Sequence, residues 1–331
     1  DGSHFNYGSN MAEVRRHEAQ YSPNDIRGFD AMMKASRQLY KLGFEKYGAK
    51  SFHSFGSMLK IAPELLWLQG YKSVSSWVYR YIKNQNLQRV FSLQPLLLGG
   101  HPYRTPAIYA LIPYLEQRYG VWFPRGGMGS LVRSLDQLMQ RQGIERRTNC
   151  TVESILTRNK KVIGVRLENG TNLNASTVVT NQDASTVSDS LLDINFNHIS
   201  KPNRNWKSLS YSMGLFVWCF GTNRVWPNVA HHTIILGDRW KKLLDEIFDG
   251  CHLPKDPSLY LHRPAATDDS QQPLGYDGFY VLAPVPNLMK ANVSWRVAGN
   301  EMRVQILDIL EKRVLPNLRQ HIVTERIMTP E

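Results

Sequence analysis

The residues best placed to do chemistry are in the stretch GVWFPRGGMGSL at 120–131, where three glycines fall within four positions. Glycine lets the backbone approach a bulky partner, and a glycine-rich loop opening a helix can offer bare amides to an anion or admit a flat ring. A dinucleotide fingerprint needs GxGxxG, and here Gly127 and Gly129 are followed by Val132 where the third glycine belongs. A tight loop packing a helix onto a sheet explains the glycines equally well, so both readings stay open. Other chemistry is sparse. No GxSxG elbow occurs, and His231–His232 in HHTIILG has no serine or cysteine that sequence can place beside it. One of the pair reads as a hydrogen-bonded core histidine. Asp268–Asp269 and Asp245–Glu246 lack companion ligands and read as solvated surface, so no metal site is expected. Cys150, Cys219 and Cys251 show neither CxxC nor His/Cys spacing, which points to a reducing compartment without structural zinc.

Those residues must be carried by elements that 331 residues, 42% of them hydrophobic and 11% aromatic, can build around a sizeable core in two domains. Helical spacing of Leu131, Val132, Leu135, Leu138 and Met139 predicts a helix after the glycines, with Ser130 as cap and Gly143 as stop. Upstream, 11–119 reads as all-helical, including segments at 54–69, 70–83, 85–98 and 106–118 and a helix through Met32, Met33, Ser36, Leu39 and Tyr40 capped by Ser22 or Asn24. Downstream the period changes to two. Strands are predicted at 147–157, 161–168 and 171–180, with turns at Asn159–Lys160 and Asn169–Gly170, and VVTNQDAS at 178–185 reads as a buried strand ending in a polar loop. From 190 to 331, strands at 209–220, 231–236, 257–263 and 278–283 alternate with helices near 238–249 and 299–313, which suggests an antiparallel sheet with covering helices.

A net charge of +12 favours anionic partners, but the basic doublets are scattered and no nucleic-acid module accompanies them, so nucleic acid is not an expected partner. Aromatics and cations mix in LLWLQGYKSVSSWVYRYI at 65–82, where Trp67, Tyr71, Trp77, Tyr79 and Tyr81 suit either a membrane interface or the packing of the helical layer. The longest aliphatic–aromatic run, 215–220, is far short of the roughly 20 residues that span a bilayer. The polar start DGSHFNYGSN has no apolar signal segment.

GVWFPRGGMGSLVRSL, then TVESILTRNKKVIGVRLENG, then VVTNQDAS, taken in this order, resemble bacterial-type phytoene desaturases, flavin-dependent enzymes related more distantly to amine oxidases. LYKLGFEKYG, LLLGGHPYRTPAIYALIPYLE, AHHTIILGDRWKKLLDEIF, SLYLHRP and YVLAPVPNL extend the resemblance over essentially the whole chain. The resemblance implies an α/β (α+β) fold: part of a two-domain FAD-binding flavoprotein of the glutathione-reductase/amine-oxidase type, with a helical insert and an antiparallel-sheet substrate domain. Its expected domains are a strand of the substrate domain at 1–10, a helical substrate and membrane-docking region at 11–119, a partial FAD-binding domain at 120–189 and the substrate domain at 190–331. It implies FAD as cofactor beside Gly126, Gly127, Val152 and Asn181, and a polyene, phytoene and partly desaturated carotenes, against Phe123 and Met128. Peripheral attachment to the cytoplasmic side of a bacterial membrane follows from a substrate that resides in lipid. Relatives carry an N-terminal GxGxxG and a C-terminal flavin-closing segment, and neither is in this sequence, which reads as an internal part of a longer enzyme. Where some relatives have an aspartate and an arginine, Ser57 and Lys60 stand here. A C30 carotenoid desaturase, a carotenoid isomerase or oxidase, and a non-catalytic lipid-binding fragment are the alternatives.

Overall fold

The computed structural model describes residues 4–50, 55–159, 161–192 and 209–331. Two compact units divide the chain: residues 1–128 with 212–331, and residues 129–211.

The first unit begins with a helical layer. Asn10 caps α1 (Met11–Tyr21) by accepting from the Ala12 amide. In α2 (Ile26–Tyr40) the apolar residues fall at helical spacing, so Phe29, Met32, Met33 and Leu39 line one buried face. α3 (Phe55–Trp67), α4 (Val74–Val78), α5 (Gln85–Ser92) and α6 (Ile112–Tyr119) follow. Their core joins Phe29, Met32 and Leu39 to Val74, Trp77, Ile82, Leu87 and Phe91. Asp25 ties two loops together, its carboxylate accepting from the Lys83 and Asn84 amides at 2.7 and 2.8 Å.

The five-stranded antiparallel sheet has the order β5-β6-β7-β4-β8. Its central pair, β4 (Gly214–Thr222) and β7 (Asp277–Val285), runs in uninterrupted register, so Phe216, Trp218 and Phe220 oppose Ala283, Val281 and Phe279. Strict alternation sends these six into the core, where they meet Met302, Ile306 and Leu310 of the helix Trp295–Arg313. The opposite face of the sheet carries Val217, Tyr260, Tyr280 and Leu282, all half-buried. β5 (His232–Ile235) and β6 (Leu259–His262) extend the sheet on one side, and β8 (Ile322–Met328) pairs with β4 on the other.

In the second unit, β1 (Val152–Arg158), β2 (Lys161–Leu167) and β3 (Asn172–Asn174) form an antiparallel meander. Gly170, at φ +82°, supplies the left-handed turn that the Asn169–Gly170 signal predicts. Most of α7 (Gly127–Arg141) also belongs here, and Leu131, Val132, Leu135 and Leu138 on it are exposed.

Several expectations change. Residues 4–10 form no strand; instead Phe5 and Tyr7 pack edge-on against Phe91 of the helical layer, because apolar contact without a pairing partner does not make a ladder. The stretch at 178–180 is not a buried strand either: Val179 is exposed and no described strand pairs with it. The helix expected over 70–83 shrinks to α4, since Gln69 at φ +55° and a turn at residues 79–81 break it. α7 begins at Gly127, which leaves Ser130 inside the helix, and α2 starts after Asp25 with no side-chain cap from Ser22 or Asn24. β8 was not anticipated, because IVTERIM has only weak alternation. The first ten residues, the helical layer and the five-stranded sheet fall in one unit together with residues 120–128. The turn residue Lys160 and the part of the substrate region at 193–208 lie outside the described residues, as does the Ser57 side chain.

Candidate active site

The glycine loop is held from the side by the segment after β6. Gly126 and Gly127 lie at φ +80° and +72°, a left-handed pair that residues with a side chain rarely adopt. The Gly126 amide donates to Asp268 Oδ2 at 2.6 Å, and Gln271 Nε2 donates to the same oxygen at 3.1 Å. A Cβ on Gly127 would stand 2.6 Å from Gln271 Oε1. Asp268 also accepts from the Ser270 amide and hydroxyl. These bonds, the Gly126 amide first, pull its carboxyl down to about 2. The contribution is therefore complete above the ordinary carboxylate range and fades only as pH falls toward 2. Asp268 was expected on solvated surface; the anchoring is tertiary and leaves no mark in DDSQQ.

Phe123, half-buried, sits beside three histidines: its ring centroid is 4.7 Å from that of His231 and 6.0 Å from that of His262. His231 Nε2 and His262 Nε2 are 2.8 Å apart. Thr267 bonds His231 Nδ1 at 2.5 Å, and the Tyr260 hydroxyl bonds His232 Nδ1 at 2.6 Å. Burial, reinforced by the other two rings, lowers His262 to about 4, and burial lowers His231 and His232 as well, so all three rings are neutral near pH 7. Next to them, Arg263 makes a buried ion pair with Asp277 at 2.7 Å and donates to the Val229 carbonyl at 3.0 Å, which fixes the end of β6. Only strand register brings His262 opposite His232, thirty positions away in sequence, and that is why HHTIILG alone did not disclose the group.

Gly126, Gly127, Phe123 and Met128 thus share one segment, with Met128 59% exposed. Val152 and Asn181 belong to the second unit: Val152 opens the edge strand β1, half-buried and paired with Leu167, and Asn181 is exposed in the loop after β3. Lys60 is exposed on α3.

The sequence matches the family described as flavin containing amine oxidoreductase over residues 6–258, and the chain belongs to that family. Within it, the chain falls among the bacterial-type phytoene desaturases. It is 40% identical to a lycopene-forming phytoene desaturase of Pantoea ananas, over 99% of this chain and 67% of that protein. It is 35% identical to a neurosporene-forming phytoene desaturase of Rhodobacter capsulatus, over 100% of this chain and 64% of that protein. This chain therefore spans about two thirds of the length of such relatives. Among solved structures, an oxidoreductase from Methanosarcina mazei superposes with a TM-score of 0.52 at 14% identity, covering 83% of this chain and 61% of the other. A redesigned putrescine oxidase superposes with the same TM-score at 11% identity, covering 92% and 61%. The fold is that of the amine-oxidase-type flavoproteins, an α/β architecture.

Family membership makes FAD the cofactor. Two successive left-handed residues without Cβ open a 15-residue helix at the glycine loop, with Gln271 standing where a Gly127 side chain would. The Gly126 amide, committed to Asp268, is not available to FAD as a donor.

Proposed function

We propose that the complete protein is an FAD-dependent phytoene desaturase that introduces conjugated double bonds stepwise into a C40 polyene, toward lycopene. The observation that carries this reading is the second face of the five-stranded sheet, where Ile234, Tyr260, Leu282 and Val217 stand in register across four strands, Ile234 exposed and the others half-buried. A hydrocarbon has no group to hydrogen-bond, so it must be recognised by such an apolar wall. The names of the relatives from Pantoea ananas and Rhodobacter capsulatus agree with that substrate class.

FAD, when bound, supplies the hydride acceptor for an allylic methylene. This chain's part is to shape the surroundings. Gly126 and Gly127 hold the left-handed turn that opens α7, Phe123 and Met128 beside it are assigned as the polyene contacts, and Gly126, Gly127, Val152 and Asn181 are assigned to the cofactor by resemblance.

The partly desaturated carotenes are further ligands, and a lipid surface is the place where they are met. Leu59, Leu66, Trp67 and Tyr71 are exposed on and just after α3, beside the cation Lys60, and form a peripheral docking surface on the cytoplasmic side of the membrane. Among the described residues no helix is long and apolar enough to cross a bilayer.

The test is expression of the complete protein in a phytoene-accumulating host, read by pigment chromatography and by the flavin spectrum of the purified enzyme. A yellow protein and loss of phytoene to desaturated carotenes are expected. Conversion of a C30 polyene with phytoene untouched would move the reading to a related desaturase, and a colourless protein with unchanged phytoene would overturn it.

A further inference from the structure

The three histidines beside Phe123 have more in common than a hydrogen-bond chain requires. One ring nitrogen from each of His231, His232 and His262 lies within 4.8 Å of the other two. Adjacent residues of a strand normally point to opposite faces, but His231 lies just before β5, so its ring turns back to 4.4 Å from that of His232. His262 is brought in by register, as the cross-strand partner of His232. The Arg263 amide donates to the His231 carbonyl at 2.9 Å and locks the two segments together at this point.

We propose that His231, His232 and His262 form a binding site for one borderline divalent transition-metal ion of the zinc, cobalt or nickel kind. His231 and His232 each have Nδ1 engaged by a hydroxyl, Thr267 and Tyr260 respectively, which fixes both rings and makes Nε2 the ligand atom; at His231 the ion replaces the 2.8 Å bond between its Nε2 and His262 Nε2. Outer hydrogen bonds of this kind orient metal-binding imidazoles generally. His262 is buried, and its Nδ1 has no hydrogen-bond partner among the described residues.

The ligand set decides the class of ion. Three neutral imidazoles without a carboxylate suit zinc and its neighbours and disfavour calcium or magnesium, which take oxygen ligands. Zinc–nitrogen bonds of about 2.0–2.1 Å in tetrahedral array place ligand nitrogens about 3.3 Å apart. The 2.8 Å contact between His231 and His262 needs to open by only about half an ångström to reach that spacing. One ring is buried, one half-buried and one exposed, so the ion enters past His232 and keeps its fourth position for water. Such an ion clasps the start of β5 to the end of β6. The site stands on these rings alone and does not depend on the carotenoid reading.

The test uses the complete, untagged protein, stripped with chelator and titrated with Co²⁺ alone, then with Zn²⁺. One equivalent should bind with the visible absorption of tetrahedral cobalt, and Zn²⁺ should displace it and raise the melting temperature. His262→Gln should weaken binding by about tenfold or more. Because that ring is buried, His232→Asn on the exposed ring is the companion variant, which should fold like wild type and lose affinity to a similar degree. Absence of saturable cobalt binding, or undiminished binding in His232→Asn, would overturn the proposal.

Discussion

Gly127 shows how much a single position controls in the loop beside Phe123. Its φ of +72° costs a residue with a Cβ about 1–3 kcal/mol, and a Cβ would also press on Gln271, which its bond to Asp268 keeps from swinging freely. Gly127→Val should therefore lower the melting temperature by a few degrees, whereas Gly127→Asn, whose side chain tolerates left-handed backbone, should lower it less. Thermal unfolding of the two variants beside wild type decides this. Equal melting of all three would mean that the loop does not hold the conformation described. Glycine is thus required here by backbone shape and by Gln271, before any ligand enters the argument. The sequence flagged the position through its three close glycines but held no sign of Asp268 or Gln271, which come from 141 and 144 positions downstream.

At the scale of elements, the aromatic stretch around α3 and α4 divides into two populations that composition blends. Trp67 is 73% exposed, whereas Trp77, on α4, is 2% exposed and packed within the helical core. Replacing Trp67 and Tyr71 together by serine should reduce sedimentation with anionic vesicles while leaving the melting temperature near wild type. Trp77→Ala should instead destabilise the protein by about 3–5 kcal/mol, the usual result of emptying a buried aromatic site. Vesicle sedimentation and thermal unfolding, measured on the same preparations, separate the two roles. Vesicle binding unaffected by the double substitution would reject the docking surface. Sequence places Trp67 and Trp77 on helices correctly and Tyr71 incorrectly, since it lies in a turn, and it could not sort buried from exposed, because the break at Gln69 and Gly70 resets the helical phase between Trp67 and Trp77.

At the scale of the molecule, α7 presents Leu131, Val132, Leu135 and Leu138 uncovered, while the chain matches about two thirds of its relatives' length. Dinucleotide affinity in α/β flavoproteins rests on helix-terminal amides that grip the pyrophosphate and on an acidic ribose ligand. This sequence has no GxGxxG, and the Gly126 amide is already occupied. A polypeptide of residues 1–331 by itself should accordingly fail to carry FAD through gel filtration, whereas the complete protein should retain it. The comparison is an absorbance spectrum of each after the column, and stoichiometric flavin on the shorter polypeptide would sink the expectation.

Sequence by itself determined what depends on local periodicity and on ordered motifs. Helical spacing from Phe29 to Tyr40 fixes the buried face of α2, the order of the motifs fixes the flavoprotein family, and the runs GLFVWCFGT and DGFYVLAPV mark strands but, being apolar on both faces, not which side enters the core. Tertiary structure alone decided what depends on partners distant along the chain. VVTN at 178–181 has a strand's composition but no described partner to pair with, so it makes no ladder. His262 joins His231 and His232 only because β5 and β6 align, and Asp268 reaches Gly126 only because the segment after β6 folds back over the loop. Side-chain types set what each residue can do, but hydrogen-bond and ring contacts fall off within a few ångströms, so which residues act together is settled only when the strands are in register.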